Sequence, residues 1–205
     1  ERLRGMGVGA KAVELDITRE DQVVEVVASL RREFGRLDIL INAAGTNVWQ
    51  KAEEYTLENW DRVMDINLRG AFLISREVGK VMIEQGGGKI IHISSVRSLL
   101  GYPQDYTAYC ASKGGLNMYV KCLAAEWACY GINVNAIAPT FVKTPLTEGM
   151  LSNPATRKSL IDRIPLGRLA LPEDLVGAAV FFASPASDFI TGQILFVDGG
   201  VTSRQ

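Results

Sequence analysis

The feature that most constrains the fold is the alternation of short apolar runs with longer amphipathic runs along the chain. The short runs are rich in β-branched residues and predict strands, whereas the long runs place apolar residues at helical spacing. Strands that are apolar on both faces and alternate with helices indicate a parallel sheet covered on both sides. We therefore predict a single domain over residues 1–205, of the doubly wound, Rossmann-like α/β class. The predicted strands are 11–15, 37–41, 89–93, 132–137 and 193–197.

The helices between these strands carry their own end signals. The first is predicted to begin at Thr18 as N-cap, with Asp21 in its first turn, and to end at Gly35. Longer helices are predicted over 56–85 and 104–130. A final helix is predicted to begin near Pro172 and to end near Ser184, because proline is favoured in a first turn.

Composition narrows the classes of partner. The 22 lysines and arginines nearly balance 23 acidic residues, so no electrostatic argument favours nucleic acid or an anionic membrane. Apolar runs are far shorter than the roughly 20 residues that span a bilayer. With three cysteines, none in CxxC spacing, and one histidine, we predict no metal site. These features predict a reduced, cytoplasmic, soluble protein.

Polar segments follow three of the predicted strands. They are residues 42–45, 94–95 and 139–144. Ligands of doubly wound sheets bind beyond the carboxyl ends of the strands, where these segments should meet. The sequence therefore predicts a binding site on this rim of the sheet.

Tyr109 and Lys113 lie four residues apart near the start of a predicted helix and so share one face. An ammonium group beside a phenol stabilises the phenolate, so we expect the pKa of Tyr109 to fall below its usual value near 10. Such a tyrosine could act as a general acid or base near neutral pH. The same spacing also occurs in amphipathic helices with a solvated lysine, so the pair alone leaves both interpretations open.

Further motifs accompany this pair in order. They are Asn42–Gly45, Asn67 within a helix, Ile93–Ser95, Tyr109–Lys113, Asn135–Pro139 and Gly192–Gly200. Together, over nearly the whole chain, they resemble the classical short-chain dehydrogenase/reductase family. The resemblance implies an NAD- or NADP-dependent oxidoreductase that moves a hydride between nicotinamide and a secondary alcohol or ketone. The preference between NAD and NADP stays open, because the strand end that decides it in the family has no counterpart here.

The resemblance implies four catalytic residues. Tyr109 is the expected acid/base, and Lys113 is expected to hold the nicotinamide ribose and to tune Tyr109. Ser95 is expected to orient the substrate oxygen, in preference to Ser94, which would be structural. Asn67 is expected to hold a water in a proton relay to Lys113.

The resemblance also implies how the cofactor is held. Asp16 and Ile17 would meet the adenine, and the 42–45 turn would cover the adenosine ribose, although Asn42 could instead hold neighbouring strands together. The expected cofactor-binding residues are Asp16, Ile17, Asn42, Ala43, Ala44, Gly45, Tyr109, Lys113, Pro139, Val142 and Thr144. Ala43 stands where the family usually has a second asparagine. Thr140 stands where it usually has glycine, and we expect its side chain to crowd the nicotinamide edge.

Substrate specificity is expected to come from Trp49, Arg97, Tyr102 and Gln104, together with the polar segment 144–164, which resembles the mobile substrate lid of the family. Basic and amide groups suit a small hydroxylated or anionic substrate, and we expect a sugar acid or polyol. The sequence resembles the 3-oxoacyl-carrier-protein reductases of the family about as much as its sugar-acid and polyol dehydrogenases, so a ketoreductase of that type is the alternative.

Two alternatives come from other functional classes. A non-catalytic nucleotide-binding or scaffold protein would not need the tyrosine–lysine pair, so the catalytic set argues against it. A hydrolase using Ser95 would need a Gly-x-Ser-x-Gly elbow and a well-placed histidine, and the sequence has neither. The resemblance further implies a homotetramer, with the helices at 56–85 and 104–130 pairing across one two-fold axis and the last strand across another.

The opening glycine-rich strand–turn–helix unit of dinucleotide folds has no counterpart in the sequence. Residues 5–9 contain three glycines but lead into a strand, so we interpret them as a loop. The strand at 11–15 would then lack a sheet neighbour, and that at 37–41 would be a bare edge. We expect these 205 residues to be part of a longer protein and to bind a dinucleotide poorly by themselves.

Overall fold

The computed structural model describes residues 4–102 and 105–204. Within them, a parallel sheet of four strands forms the centre, in the order β1-β2-β3-β4. The strands are β1 (Ile39–Asn42), β2 (Gly88–Ile93), β3 (Ile132–Pro139) and β4 (Ile194–Val197). Every residue of β3 except Asn133 is buried. The predicted doubly wound α/β class is confirmed.

Helices cover both faces of the sheet. Ile90 and Val134 pack with α1, α3 and α4 on one face, while Ile91 and Ile137 pack with Phe182 of α7 on the other. The alternation follows from the two-residue period of a strand. The helices are α1 (Glu20–Phe34), α2 (Leu57–Met64), α3 (Gly70–Gln85), α4 (Thr107–Trp127), α5 (Pro145–Leu151), α6 (Pro154–Ile161) and α7 (Glu173–Ala183).

The helix predicted over 56–85 is one continuous element in which a π turn, Asp65–Arg69, joins α2 to α3. The polar 144–164 segment is helical as well, which the sequence analysis did not predict. Thr144 and Asn153 stand at the N-caps of α5 and α6, each directly before a proline. This is the usual arrangement of a helix start.

The prediction of a strand at 11–15 is wrong. These residues form no ladder, because none of the described strands lies beside them to pair with. Leu15 and Ile17 nevertheless pack against the core beneath α1 and α3.

The predicted N-cap of α1 is also wrong. The helix begins at Glu20 with Arg19 as N-cap. Thr18 instead donates its backbone N–H and its hydroxyl to the Asp16 carboxylate, at 2.9 and 2.7 Å. The predicted end at Gly35 is confirmed, with φ of 77° in the left-handed region that glycine favours.

His92 of β2 lies fully buried in the middle of the sheet. Its Nδ1 lies 3.3 Å from Asn42 Nδ2, and its Nε2 lies 3.0 Å from Ser75 Oγ. With Asn42 donating to Nδ1, the ring proton sits on Nε2 and is donated to Ser75. Burial lowers the pKa of His92 to about 3, and the nearby Lys113 charge acts in the same direction. His92 is therefore a neutral core residue that joins β1, β2 and α3.

Candidate active site

A cavity of about 500 Å³ lies at the carboxyl ends of β1, β2 and β3, the rim predicted from the sequence. Its walls include side chains from the strand ends, from the first turns of α4 and from the start of α5. The residues that line it include Ala43, Gly45, Asn47, Trp49, Ser95, Arg97, Tyr106, Tyr109, Lys113, Pro139, Thr140, Phe141, Val142 and Thr144.

The two serines after β2 have different partners. The Ser95 Oγ accepts the backbone N–H of Arg97 at 3.1 Å and caps a short 3₁₀ helix. The Ser94 Oγ donates to Asn117 Oδ1 of α4 at 2.6 Å. The Ser94 hydroxyl therefore ties the sheet to α4, which leaves the Ser95 hydroxyl as the one positioned beside Tyr109.

Tyr109 and Lys113 project from the first two turns of α4. The Lys113 Nζ donates to the carbonyl of Ile93 at 2.8 Å and lies 5.7 Å from the centre of the Tyr109 ring. Burial lowers the pKa of Lys113 to about 8. The face of α4 therefore places an ammonium group with a pKa of about 8 next to a phenol.

The expected lowering of the Tyr109 pKa is wrong for the polypeptide by itself. Burial raises the pKa of Tyr109 to about 12, and the hydrogen bond from Ser95 only partly opposes this. The ammonium of Lys113 is committed to the Ile93 carbonyl and faces the ring. Tyr109 is consequently protonated at neutral pH, as a proton donor must be.

Asn67 lies within the π turn and is buried. Its Oδ1 accepts the N–H of Thr46 at 2.8 Å, while its Nδ2 donates to the Thr46 carbonyl at 2.9 Å and to Ser112 Oγ at 3.0 Å. The side chain thus clamps the loop after β1 onto α4, one residue from Lys113. π turns occur frequently at functional sites. The role of Asn67 in a proton relay stays a prediction.

The backbone after β1 lies near two residues of the site. A Cβ at Gly45 would lie 3.6 Å from both Asn67 Oδ1 and Lys113 Nζ, which is an ordinary contact distance. Gly45 therefore borders the cavity beside Lys113.

The predicted cofactor residues divide into two groups. Seven of them line the cavity: Ala43, Gly45, Tyr109, Lys113, Pro139, Val142 and Thr144. The Asn42 side chain instead forms a hydrogen bond with His92 and accepts the N–H of Ala44. It therefore links β1 to β2, which is the alternative role predicted for it. Asp16 is exposed, and Ile17 packs against Gly70, where a Cβ would lie 2.8 Å from its Cγ2. Asp16, Ile17, Asn42 and Ala44 are not among the residues that line the cavity.

The predicted substrate residues are also divided. Trp49 and Arg97 line the cavity, and Tyr102 lies beneath the Arg97 guanidinium with 4.1 Å between Cζ and the ring centre. Gln104 lies outside the described residues. Tyr106 stacks edge-on against Tyr109 and donates its hydroxyl to the Met150 sulfur of α5 at 3.9 Å, which links the polar segment to the site.

Two polar side chains in the wall have no hydrogen-bond partner among the described residues. Thr140 has a buried Oγ1 without a partner, at the position where crowding was expected. Asn47, which the sequence analysis missed, has both amide atoms buried without a partner. Its only sequence signal is its place two residues after the 42–45 turn.

The structure also limits other kinds of site. None of the helices formed by residues 4–102 and 105–204 is long and apolar enough to cross a membrane. No group of three or more histidine, cysteine, aspartate or glutamate residues in the same part of the chain is placed to hold a metal ion.

Comparisons with known proteins agree with this geometry. A family model described as enoyl-(acyl carrier protein) reductase matches residues 3–202. An uncharacterized oxidoreductase of Mycobacterium tuberculosis is 44% identical, over 99% of this chain and 77% of its own length. Gluconate 5-dehydrogenase of Gluconobacter oxydans is 39% identical over 96% of this chain and 76% of its own. NAD-dependent glycerol dehydrogenase of Listeria innocua is also 39% identical, over 94% of this chain and 75% of its own length.

Solved structures show the same likeness. A gluconate 5-dehydrogenase from Burkholderia cenocepacia, in complex with NADP and tartrate, superimposes with a TM-score of 0.96 at 38% identity. The superposition covers 100% of this chain and 80% of that one. The fold, the ordered motifs and these relatives lead to one conclusion: the chain belongs to the classical short-chain dehydrogenase/reductase family of NAD(P)-dependent oxidoreductases.

Proposed function

We propose that this protein interconverts a secondary alcohol and a ketone on a small hydroxylated substrate, a sugar acid or a polyol. The observation that carries the proposal is the meeting of Ser95, Tyr109 and Lys113 around one cavity at the carboxyl ends of the strands. The relatives named for gluconate and glycerol support this substrate class.

The residues beside Lys113 fit a nicotinamide cofactor. The space that a Cβ at Gly45 would fill is suited to a ribose, with the Lys113 ammonium as hydrogen-bond donor. Pro139, Val142 and Thr144 would border the nicotinamide ring on the other side. When bound, NAD or NADP supplies or accepts the hydride.

The chain itself supplies orientation and the proton. The Ser95 hydroxyl donates a hydrogen bond to the substrate oxygen and fixes it beside Tyr109. In reduction, Tyr109 gives its proton to that oxygen as the C–H bond forms. In oxidation Tyr109 must first lose its own proton; the O–H proton of the substrate then passes to the Tyr109 phenolate, the carbon loses a hydride, and a C=O bond forms. Because burial raises the pKa of Tyr109 to about 12, oxidation should accelerate as the pH rises.

The proposal is tested by cofactor binding in the full-length protein. Trp49 lines the cavity, so energy transfer from tryptophan to NADH or NADPH should report occupancy. We expect saturable binding of at least one of them, followed by reduction of its oxidised form when gluconate or glycerol is added. Absence of binding by both would contradict the proposal.

We also infer a cytoplasmic homotetramer built from one domain over residues 1–205. Exposed apolar side chains support association: Phe72 and Met118 lie on α3 and α4, and Val180 lies on α7. Apolar patches of this kind commonly mark protein interfaces. Sedimentation velocity measures the assembly directly, and a monomer would contradict the inference.

A further inference from the structure

Asn47 offers unused hydrogen-bonding capacity inside the catalytic cavity. Its side chain is only 8% exposed, and neither Oδ1 nor Nδ2 has a partner among the described residues. Buried amides are nearly always paired, because leaving them unpaired is costly. A ligand that forms hydrogen bonds with this amide would account for its burial without a protein partner.

Arg97 brings an uncompensated charge into the same wall. It is 8% exposed, and no aspartate or glutamate in the described residues forms an ion pair with it. The guanidinium donates once, to the Gly101 carbonyl at 3.2 Å, although it carries five N–H donors. The Tyr102 and Phe141 rings hold it in place, with Cζ 4.1 and 5.5 Å from the ring centres.

The charge of the cavity wall has one sign. Among the lining residues that the structure describes, the only charged side chains are Arg97 and Lys113, and both are cations. Lys113 is already bound to the Ile93 carbonyl, beside the proposed cofactor position. Arg97 therefore remains as the cation available to a substrate.

Arg97 is also fixed relative to the reacting centre. It lies two residues after Ser95, and its backbone N–H donates to the Ser95 Oγ at 3.1 Å. The serine that would hold the reacting oxygen and the arginine thus share one 3₁₀ turn. A group bound by Arg97 would be held at a constant offset from the reacting carbon.

We propose that Asn47 and Arg97 form a recognition pair for a hydroxy or oxo carboxylate, in which Arg97 selects the acid over a neutral polyol and Asn47 binds a hydroxyl group that both kinds of substrate carry. The planar guanidinium matches a carboxylate, to which it can donate two parallel hydrogen bonds. The Asn47 amide can both donate and accept, which matches a hydroxyl group near the reacting carbon. This inference rests on the proposed function and narrows its substrate class to the acid.

The test compares acids with the alcohols that differ from them only at one end. For the full-length protein, kcat/KM is measured for erythronate, xylonate and gluconate, and for erythritol, xylitol and glucitol. We expect a preference for the acid in the best-used pair of roughly 10²-fold, the worth of a charged hydrogen-bonding pair. Equal use of acid and alditol would overturn the proposal.

Variants locate the preference. Arg97→Gln should collapse the acid-to-alditol ratio by roughly 10²-fold, while Arg97→Lys, which keeps the charge without the fork, should retain part of it. Asn47→Leu should lower kcat/KM for acid and alditol alike by about tenfold, since both carry the hydroxyl groups.

The matched control is Arg163→Gln. Its guanidinium also lies over Tyr102, at 5.0 Å, but it does not line the catalytic cavity. The acid-to-alditol ratio of this variant should stay within about threefold of wild type, because Arg163 is exposed to solvent and lies outside the cavity. A ratio that is unchanged in Arg97→Gln, or lost equally in Arg163→Gln, would refute the assignment to Arg97.

Binding separates this inference from the proposed function. Calorimetry with the NADH-saturated protein should show that the aldonates bind more tightly than the alditols, and that Arg97→Gln removes the difference. If acids bind in this way without being turned over, the dehydrogenase proposal fails and the recognition pair stands. If cofactor and alditol are turned over while acids bind no better, the recognition pair fails alone.

Discussion

The two halves of the predicted ligand site are built in different ways. The half that holds Ser95, Tyr109 and Lys113 lies at the ends of central strands, and all three side chains are held by packing and hydrogen bonds from β2 and α4. The half assigned to the adenosine lies along β1, where Ile39 and Ile41 are 48% and 49% exposed. The catalytic side chains thus lie in the core, whereas the predicted adenine contacts Asp16 and Ile17 lie outside the residues that line the cavity.

The difference follows from which elements cover each strand. β2 and β3 are flanked by strands and covered on both faces, so six pairs of register partners fix their ends relative to each other. β1 has one strand neighbour among the described residues, and α7 packs on β2, β3 and β4 instead. Catalytic geometry should therefore survive changes at β1 that would disturb adenosine contacts.

The largest expected effect is at the phenol. Tyr109→Phe should reduce kcat by 10²- to 10⁴-fold, because no other group in the cavity is placed to carry the proton. The control is Tyr106→Phe, three residues earlier, whose hydroxyl contacts the Met150 sulfur and the Trp49 side chain. This control should lose less than about threefold in kcat. Near-normal turnover by Tyr109→Phe would remove Tyr109 from the mechanism.

The contrast between core and border is tested by two paired isoleucines. Ile41 and Ile91 are register partners on β1 and β2, but Ile91 is only 1% exposed. Ile91→Ala should lower the free energy of unfolding by about 2–5 kcal/mol, and Ile41→Ala by less than about 1 kcal/mol. Urea denaturation measures both. Equal losses would show that β1 is covered as completely as β2.

His92 makes the junction between β1 and β2 sensitive to acid. Its pKa is about 3 in the folded protein, against a usual value of 6.5, so the unfolded chain binds one more proton between these values. Stability should therefore fall as the pH drops below about 6.5, by about 3 kcal/mol between pH 7 and pH 4 from this group.

The pH effect has a matched control. Glutamine does not titrate between pH 7 and pH 4. The free energy of unfolding of His92→Gln should therefore fall by about 3 kcal/mol less than that of wild type between these pH values, as measured by urea denaturation at each pH. Parallel pH profiles for the two proteins would show that His92 is not the responsible group.

The smallest predicted effect separates the two serines. Ser95→Ala should lower kcat/KM by about 10²-fold through loss of the substrate hydrogen bond. Ser94→Ala should instead lower the free energy of unfolding by about 1–2 kcal/mol, since it removes the donor to Asn117 Oδ1. Kinetics and thermal unfolding of both variants decide the assignment, which is reversed if Ser94→Ala is the slower enzyme.

Much of the fold could be predicted because periodicity reports which faces are buried. The central strands at 89–93 and 132–137, and the helix end at Gly35, lie where the pattern placed them, whereas the helix predicted over 104–130 spans Thr107–Trp127. The strand at 11–15 failed because β-branched composition expresses only a tendency, and a strand needs a neighbour to complete its hydrogen bonds. The π turn at 65–69 was not predicted, because a local widening of the helix barely disturbs the helical pattern of apolar residues.

The site was predictable in its residue types but not in its energetics. Tyr109 and Lys113 were noticed from their spacing and assigned roles only through the family resemblance, whereas the rise in the Tyr109 pKa depends on burial depth, which spacing does not report. Asn47 was missed because an unpaired amide becomes visible only when the surrounding atoms are known. Thr144 and Asn153, each followed by proline, are typical helix starts. They were overlooked because the polar composition of the segment suggested a loop.

The most direct test of the account follows the hydrogen itself. The full-length protein is given NAD or NADP and an aldonate deuterated at its secondary carbinol carbons, and the reduced nicotinamide is analysed by mass spectrometry. The account predicts one deuterium in each reduced nicotinamide and a ketone product formed in equal amount. Reduced nicotinamide without deuterium, or no reduction with any acid or polyol tested, would contradict it.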